Sequence, residues 1–201
     1  MLKQIEHNKP KIGEPVWELA RLYPAQGYWT EEAYLNLETN WLVEYDNGIL
    51  EVLDMPSHYH QDIVGFLYIL FRLWIRANNI GYVVFAPMPL TVFTGKYREP
   101  DLLFSFDSPD TRDSLRLTRA DLVLEVVSRD RTRDFVTKRE EYAATGIPEY
   151  WIVDPKHQEI HVLVLEHTNY VTRGVFGRGQ IATSALLQGF EVNVSQLFDE
   201  A

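Results

Sequence analysis

The sequence contains no cysteine. That absence removes disulfides, thiolate zinc sites and cysteine nucleophiles together, and it fits a reducing cytoplasm. Long apolar runs are also missing. The most apolar stretch, Ile63 to Ile75, is interrupted by Arg72 and falls short of the roughly 20 residues that a bilayer-spanning helix takes. It reads as a buried helix, and no membrane is expected as a partner. The opening MLKQIEHNKPKIGEP lacks the apolar centre of a signal peptide. Positive charge is scarce: 19 Lys and Arg stand against 29 Asp and Glu, for a net charge of -10. Broad, charge-driven nucleic-acid binding sets cations against phosphates and is disfavoured here. DNA as a substrate is not excluded, because a nuclease collects carboxylates to hold a metal, and the metal then supplies positive charge.

What is present is ordinary globular composition, with 46% hydrophobic and 24% charged residues in a chain of 201. This suits a single domain over 1–201, in which residues 1–28 form an N-terminal extension whose first dozen residues are polar and loose. The basic residues cluster. Arg112, Arg116, Arg119, Arg129, Arg131, Arg133, Lys138 and Arg139 lie close together, with acids interspersed. A mixed solvated surface and a phosphate-contacting patch are both open for them.

Thr30 caps a short helix, TEEAYLNLE. WLVEYDNGILEVLD then carries Asn47-Gly48 between two apolar runs, a type I′ hairpin signal. Ser57 caps a long helix, SHYHQDIVGFLYILFRLWIRANN, that is apolar on nearly every side and so expected to be largely buried. Strands YVVFAP, LTVFTG and DLLFSF follow, and then DLVLEVVS, a nearly continuous apolar run that reads as a central strand. A helix beginning at Thr132 and stopped by Gly146 leads to strand EYWIVD, which makes a βαβ crossover. HVLVLEH and YVTRGVF close the order as an antiparallel pair. The class is α/β, or α+β with a mixed central sheet.

Glu125 is flanked on both sides by aliphatics in Leu122-Val123-Leu124-Glu125-Val126-Val127. An ionised carboxylate there costs several kcal/mol unless it is paired or coordinates a metal. Asp101 opens the strand LLFSF after Glu99-Pro100, and Glu125 follows it by 24 residues. That is room for a loop and a neighbouring strand. Two carboxylates on adjacent strands suit Mg²⁺, which prefers oxygen ligands and often takes only one or two protein carboxylates beside a substrate phosphate. Asp134, Lys138 and Tyr142 recur at i, i+4 and i+8 on the following helix and share a face. Lys138 is therefore the candidate cation, the alternative being an exposed Asp134–Lys138 pair.

Taken together, EPDLLF, LVLEVVS and RDFVTKREEYAATGIPEYWIVDP resemble the Uma-two family, restriction-endonuclease-like proteins of the PD-(D/E)XK nuclease superfamily. The resemblance runs from about Tyr34 to Phe198 and includes VEYDNGILEV and LLQGFEVNVSQLF. It implies a restriction-endonuclease-like core, a mixed central sheet flanked by helices. It implies that Asp101 and Glu125 are the two acids of the motif, that Glu44 joins the metal site from the hairpin, and that Mg²⁺ or Mn²⁺ is the cofactor. It matches His60 to a histidine at the start of the long helix, for which an active-site role and a capping or surface role are both open. The superfamily lysine two residues beyond the second acid is replaced here by Val127, which points to the same sheet face as Glu125. Lys138 resembles a lysine migrated to the helix. The implied function is Mg²⁺-dependent endonucleolytic cleavage of DNA by Asp101, Glu125, Lys138 and Glu44, in a homodimer, since cutting both strands takes two sites. The alternative is a nuclease-fold protein without activity that binds nucleic acid or a protein. Sugar hydrolysis by the carboxylate pair ranks lower, as does zinc chemistry at His157 and His161, because the latter segment reads as a strand without the helical face such ligation needs.

Overall fold

The computed structural model describes residues 23–39, 41–107 and 114–201. The expectation of loose N-terminal residues, and Arg112 of the basic cluster, lie outside this range. A short helix α1 (Glu31–Leu35) starts at Thr30, whose hydroxyl accepts from the Ala33 N–H. The hairpin β1 (Val43–Asp46) and β2 (Ile49–Val52) turns at Asn47 and Gly48, both at positive φ as a type I′ turn demands. Helix α2 (His58–Asn78) follows, with Ser57 Oγ accepting the His60 N–H as its cap. Strands β3 (Tyr82–Phe85), β4 (Leu90–Phe93), β5 (Lys96–Arg98), β6 (Leu102–Ser105) and β7 (Leu122–Val126) come next. A π-helical turn, Arg133–Thr137, runs directly into α3 (Lys138–Thr145), which Gly146 ends in the left-handed conformation. Strands β8 (Glu149–Asp154), β9 (Glu159–Glu166), β10 (Asn169–Phe176), β11 (Ile181–Thr183) and β12 (Glu191–Asn193) lead to α4 (Val194–Glu200).

The central sheet has the order β10-β9-β8-β7-β6-β3. It is mixed: β7 and β8, joined by α3, are parallel, and the other neighbours are antiparallel. Alternation along β7 divides its side chains between two cores. Leu122, Leu124 and Val126 join α2, α4 and the β11–β12 ribbon on one face. Val123 and Val127 join Tyr142, Ala143 and Tyr150 on the other. Glu125 lies between Val123 and Val127 in this alternation and so faces α3.

A second sheet, β2-β1-β5-β4, supports the α3 side. Val43, Tyr45 and Tyr97 turn one way and pack with Tyr34. Glu44, between Val43 and Tyr45, and Arg98, next to Tyr97, turn the other way, toward α3. Strand β5, which was not expected from the sequence, is what brings Arg98 there.

One expectation is corrected. Helix α2 is not buried on nearly every side. Ile63, Leu67, Phe71 and Ile75 are covered, but Ile69 is 57% and Leu73 61% exposed. The sheet covers one face of the helix, and aliphatic residues on the opposite face stay in solvent. No helix among the described residues is long and apolar enough to cross a membrane.

Candidate functional site

The site forms where β1, β6, β7 and the π turn converge, at the mouth of a cleft of about 710 Å³. Asp101, Glu125, Asp134, Lys138 and His60 all line it. Glu125 reaches it through the alternation of β7. Its Oε1 accepts a hydrogen bond from the Tyr142 hydroxyl at 2.7 Å and lies 2.8 Å from Lys138 Nζ. Lys138 does not point to solvent. Its ammonium, buried with the carboxylates, is also 3.6 Å from Glu44 and 3.9 Å from Asp134. Val127, in the position of the missing lysine, packs into the apolar core beside α3. The structure therefore puts the cation beside Glu125 from the helix rather than from the strand.

Asp101 stands next to this group. Its Oδ2 accepts the Val126 N–H at 2.7 Å and lies 3.2 Å from His60 Nε2. Hydrogen bonding across the β6–β7 pair thus ties one acid to the residue beside the other. His60 is held by two anchors: its backbone N–H donates to the Ser57 cap of α2 and its ring meets Asp101. Its Nδ1 is buried without a partner.

Glu44 has different company. It is fully buried. Arg98 Nη1 donates to its Oε2 at 3.0 Å, Arg133 donates to the same oxygen, and the Glu99 N–H reaches Oε1 at 3.2 Å. Arg133 also donates to Glu51, the cross-strand neighbour of Glu44. Two like charges directly opposite on a hairpin repel, and the Arg133 fork bridges them.

Arg133 was read from the sequence only as one of the basic cluster, and Arg98, which shares Glu44 with it, was not singled out. The spacing Asp134, Lys138, Tyr142 presumes an α-helix, in which residues five apart lie about 140° apart around the axis. In the π turn the Lys138 N–H instead bonds the Arg133 carbonyl. That i, i+5 register stacks Arg133 beneath Lys138, so both cations reach Glu44. Turns of this kind occur often at functional sites. The only sequence signal for Arg98 is its place in Arg98-Glu99-Pro100-Asp101, just ahead of the acid.

The electrostatics follow from burial. Burial raises the Glu125 carboxyl. Lys138 counters this, while Asp101 and Asp134 add to it. Asp134 is likewise raised, first by burial. For Lys138, burial favours the neutral amine, but Glu125, Glu44 and Asp134 outweigh it and hold the ammonium charged. Burial and the charge of Glu44 push Glu99 up to about 7, and its Oε2 is buried without a partner. Desolvation would lower His60, but the hydrogen bond and charge of Asp101 outweigh it and raise the imidazole. Several carboxylates thus share Lys138 and Arg133 as counter-charges at this cleft.

These residues fit a hard divalent cation. The donors facing the cleft beside Lys138 are carboxylate oxygens, mutually repelling. Among the described residues no group of three or more His, Asp or Glu side chains forms a ready-made metal cage. A two-carboxylate site of this sort suits Mg²⁺, which completes its shell with water and substrate oxygens.

Much of the described basic cluster is paired with the chain's own groups, although Arg119 and Arg129 are exposed and Arg129 lines the cleft. Arg119 pairs with Asp107 and Asp121, Arg131 with Asp154, and Arg116 donates to the Tyr97 hydroxyl. Arg139 donates to the Tyr170 carbonyl. His157 sits in a turn on Asp154 and His161 on β9 beside Glu159, away from the cleft.

A mixed central sheet flanked by helices is the fold that the family resemblance implied. A family model described as "Putative restriction endonuclease", Uma2, matches residues 31–195. The chain belongs to this family. A solved structure from Anabaena variabilis ATCC 29413, titled a putative nuclease of DUF820, is similar to it with a TM-score of 0.68 and 19% identity. That likeness covers 85% of this chain and 98% of the other, and it shows a shared fold. No curated protein matches the chain.

Proposed function

We propose that this chain is a divalent-metal-dependent endonuclease that hydrolyses phosphodiester bonds in DNA, with Asp101 and Glu125 as the residues that hold Mg²⁺ or Mn²⁺. The observation that carries the reading is the buried contact of Lys138 with Glu125, 2.8 Å long, beside Asp101 in an open cleft. When bound, the metal supplies Lewis acidity toward the scissile phosphate and a more acidic water. The protein's own groups prepare the site. Tyr142 and Lys138 fix the orientation of Glu125, while His60 and the Val126 N–H fix Asp101. Lys138, kept charged by its neighbours, is placed to hold the attacking water and to offset charge that builds on the phosphate. Glu44 assists by ordering Lys138 and Arg133. Direct ligation by Glu44 would require it to give up Arg133. Cutting both strands takes two such sites, which we assign to a homodimer.

The test is plasmid cleavage with Mg²⁺ or Mn²⁺. Wild type is expected to nick or linearise the plasmid, and Glu125→Ala and Asp101→Ala to lose this with folding intact. Full residual activity in either variant overturns the assignment. One observation favours a second reading, a nuclease-fold protein that binds without cutting: Glu44 and Glu125 already hold resident cations. Calorimetry separates the two. The endonuclease takes up Mg²⁺ or Mn²⁺ in a manner that Glu125→Gln weakens, whereas the binding protein shows no such dependence.

A further inference from the structure

A second cleft, of about 410 Å³, lies against the first. Leu42 and Glu99 line both, so the two are neighbours across a thin partition of side chains. The rings of Tyr34, Trp41, Pro87 and Pro89 line the second, with the polar Thr39 and Glu99 among its other walls. Trp41 stands 58% exposed there. Glu99, in the partition, is only 9% exposed, and its Oε2 has no hydrogen-bond partner. A buried acceptor without a donor is uncommon and calls for one.

We propose that this cleft receives one unpaired nucleobase of the substrate strand, stacked against Trp41, so that the preferred substrate is single-stranded or locally unpaired DNA rather than intact duplex. The proposal rests on the nuclease reading and specifies its substrate. Three observations support it. The cleft adjoins the candidate metal site, so a strand whose phosphate lies at Asp101 and Glu125 brings a neighbouring base to the partition. Its volume is in the range of small-ligand pockets and suits one base with its sugar. The charge distribution also disfavours a duplex: the chain carries a net charge of -10, and most arginines of the basic stretch are paired with the chain's own carboxylates. Among the described residues, Arg129 is the exposed arginine of this stretch that lines the first cleft, a small cationic surface with which to track two phosphate backbones. Stacking on an aromatic ring needs no such charge, because every base has a π-face. The orphan Glu99 oxygen would accept from an exocyclic amine of the base.

Binding tests this without relying on cleavage. The full chain is titrated, in Ca²⁺ to prevent turnover, into a short fluorescein-labelled DNA strand of mixed sequence. The strand is used alone, annealed to its complement, or carrying one abasic position. The single strand is expected to bind more tightly than the duplex. Trp41→Ala should weaken single-strand binding about tenfold, the scale of one lost base–aromatic stack, while Trp41→Phe retains most of it. The abasic strand should lose affinity for wild type and little further for Trp41→Ala. Equal binding by wild type and Trp41→Ala, or a preference for duplex, overturns the proposal. Trp41-dependent binding without any cleavage by wild type leaves the cleft assignment standing and removes the nuclease reading. Cleavage that is intact in Trp41→Ala, with unaltered binding, does the reverse. Absence of both binding and cleavage removes both.

Discussion

Glu125 and Glu149 are both buried glutamates on neighbouring strands of the sheet, and the difference between them separates a structural carboxylate from a chemical one. Glu149 is satisfied by neutral donors: the Trp151 indole, the Ser184 hydroxyl and the N–H groups of Ala185 and Leu186. It pins the C-terminal segment to the sheet and lines neither of the two clefts described. Glu125 has a hydroxyl, an ammonium and two nearby carboxylates, and it lines the cleft. Removing the ammonium should therefore be costly. Lys138→Met leaves Glu125, Asp134 and Glu44 without a shared counter-charge. Breaking a buried ion pair from one side typically costs about 3–5 kcal/mol. Urea unfolding should show a loss of that order, with much of it recovered in Lys138→Met/Glu125→Gln. A single variant as stable as wild type would mean that the three carboxylates are already protonated or hydrated. Cleavage should be lost in both variants.

The π turn governs the site at the scale of the element. It places Arg133 and Lys138 on one face. Val136 lies within it and is substantially exposed, so deleting Val136 should return the segment to α register with little loss of packing. Residues before the deletion then rotate about 100° relative to those after it, and Arg133 leaves Glu44 and Glu51. Cleavage is expected to fall at least tenfold while the far-ultraviolet circular dichroism stays close to wild type; undiminished cleavage would show that the π register is dispensable. At the start of α2, Ser57 Oγ accepts the His60 N–H. Ser57→Ala should cost about 1 kcal/mol, the usual worth of an N-cap, measured by thermal or urea unfolding. It should also loosen the His60–Asp101 contact, because His60 lies in the first turn that the cap orders.

For the whole molecule, the joint between the second sheet and α3 sets the response to acid. Burial alone would raise Glu141. The hydrogen bonds and charges of Arg98 and Lys96 outweigh burial and hold its carboxyl below its ordinary value of 4.5. Asp154 behaves likewise: hydrogen bonds from His157 and Arg131 outweigh burial and hold it below 3.8. A carboxylate whose folded pKa is depressed contributes stability that is fully present above its unfolded pKa. That stability is lost as pH falls from the ordinary carboxylate range through the depressed values. Unfolding midpoints should therefore drop steeply below about pH 4.5, and Glu141→Gln should flatten the drop. An unchanged slope in that variant would place the acid sensitivity elsewhere.

Much of this molecule was legible in the sequence, because its signals are local. Asn47-Gly48 demanded positive φ twice and so a type I′ hairpin. Ser57 and Gly146 marked helix ends through the backbone groups they satisfy or the conformation they permit. An acid within Leu122–Val127 had to find a partner, and alternation put it on the face of Val127. Tertiary structure alone decided what depends on distant packing. Burial of only one face of α2 follows from the sheet's position, which the helix's own composition does not encode. The encounter of Glu44 with Arg98 and Arg133 joins segments 54 and 89 residues apart, and the i, i+5 register that permits it breaks the helical period from which sequence spacing is read. Trp41, just before β1, and Glu99, just after β5, come to line one cleft only because those two strands pair. Local propensity and periodicity fix elements and their faces, whereas a site built from several elements exists only once those faces meet.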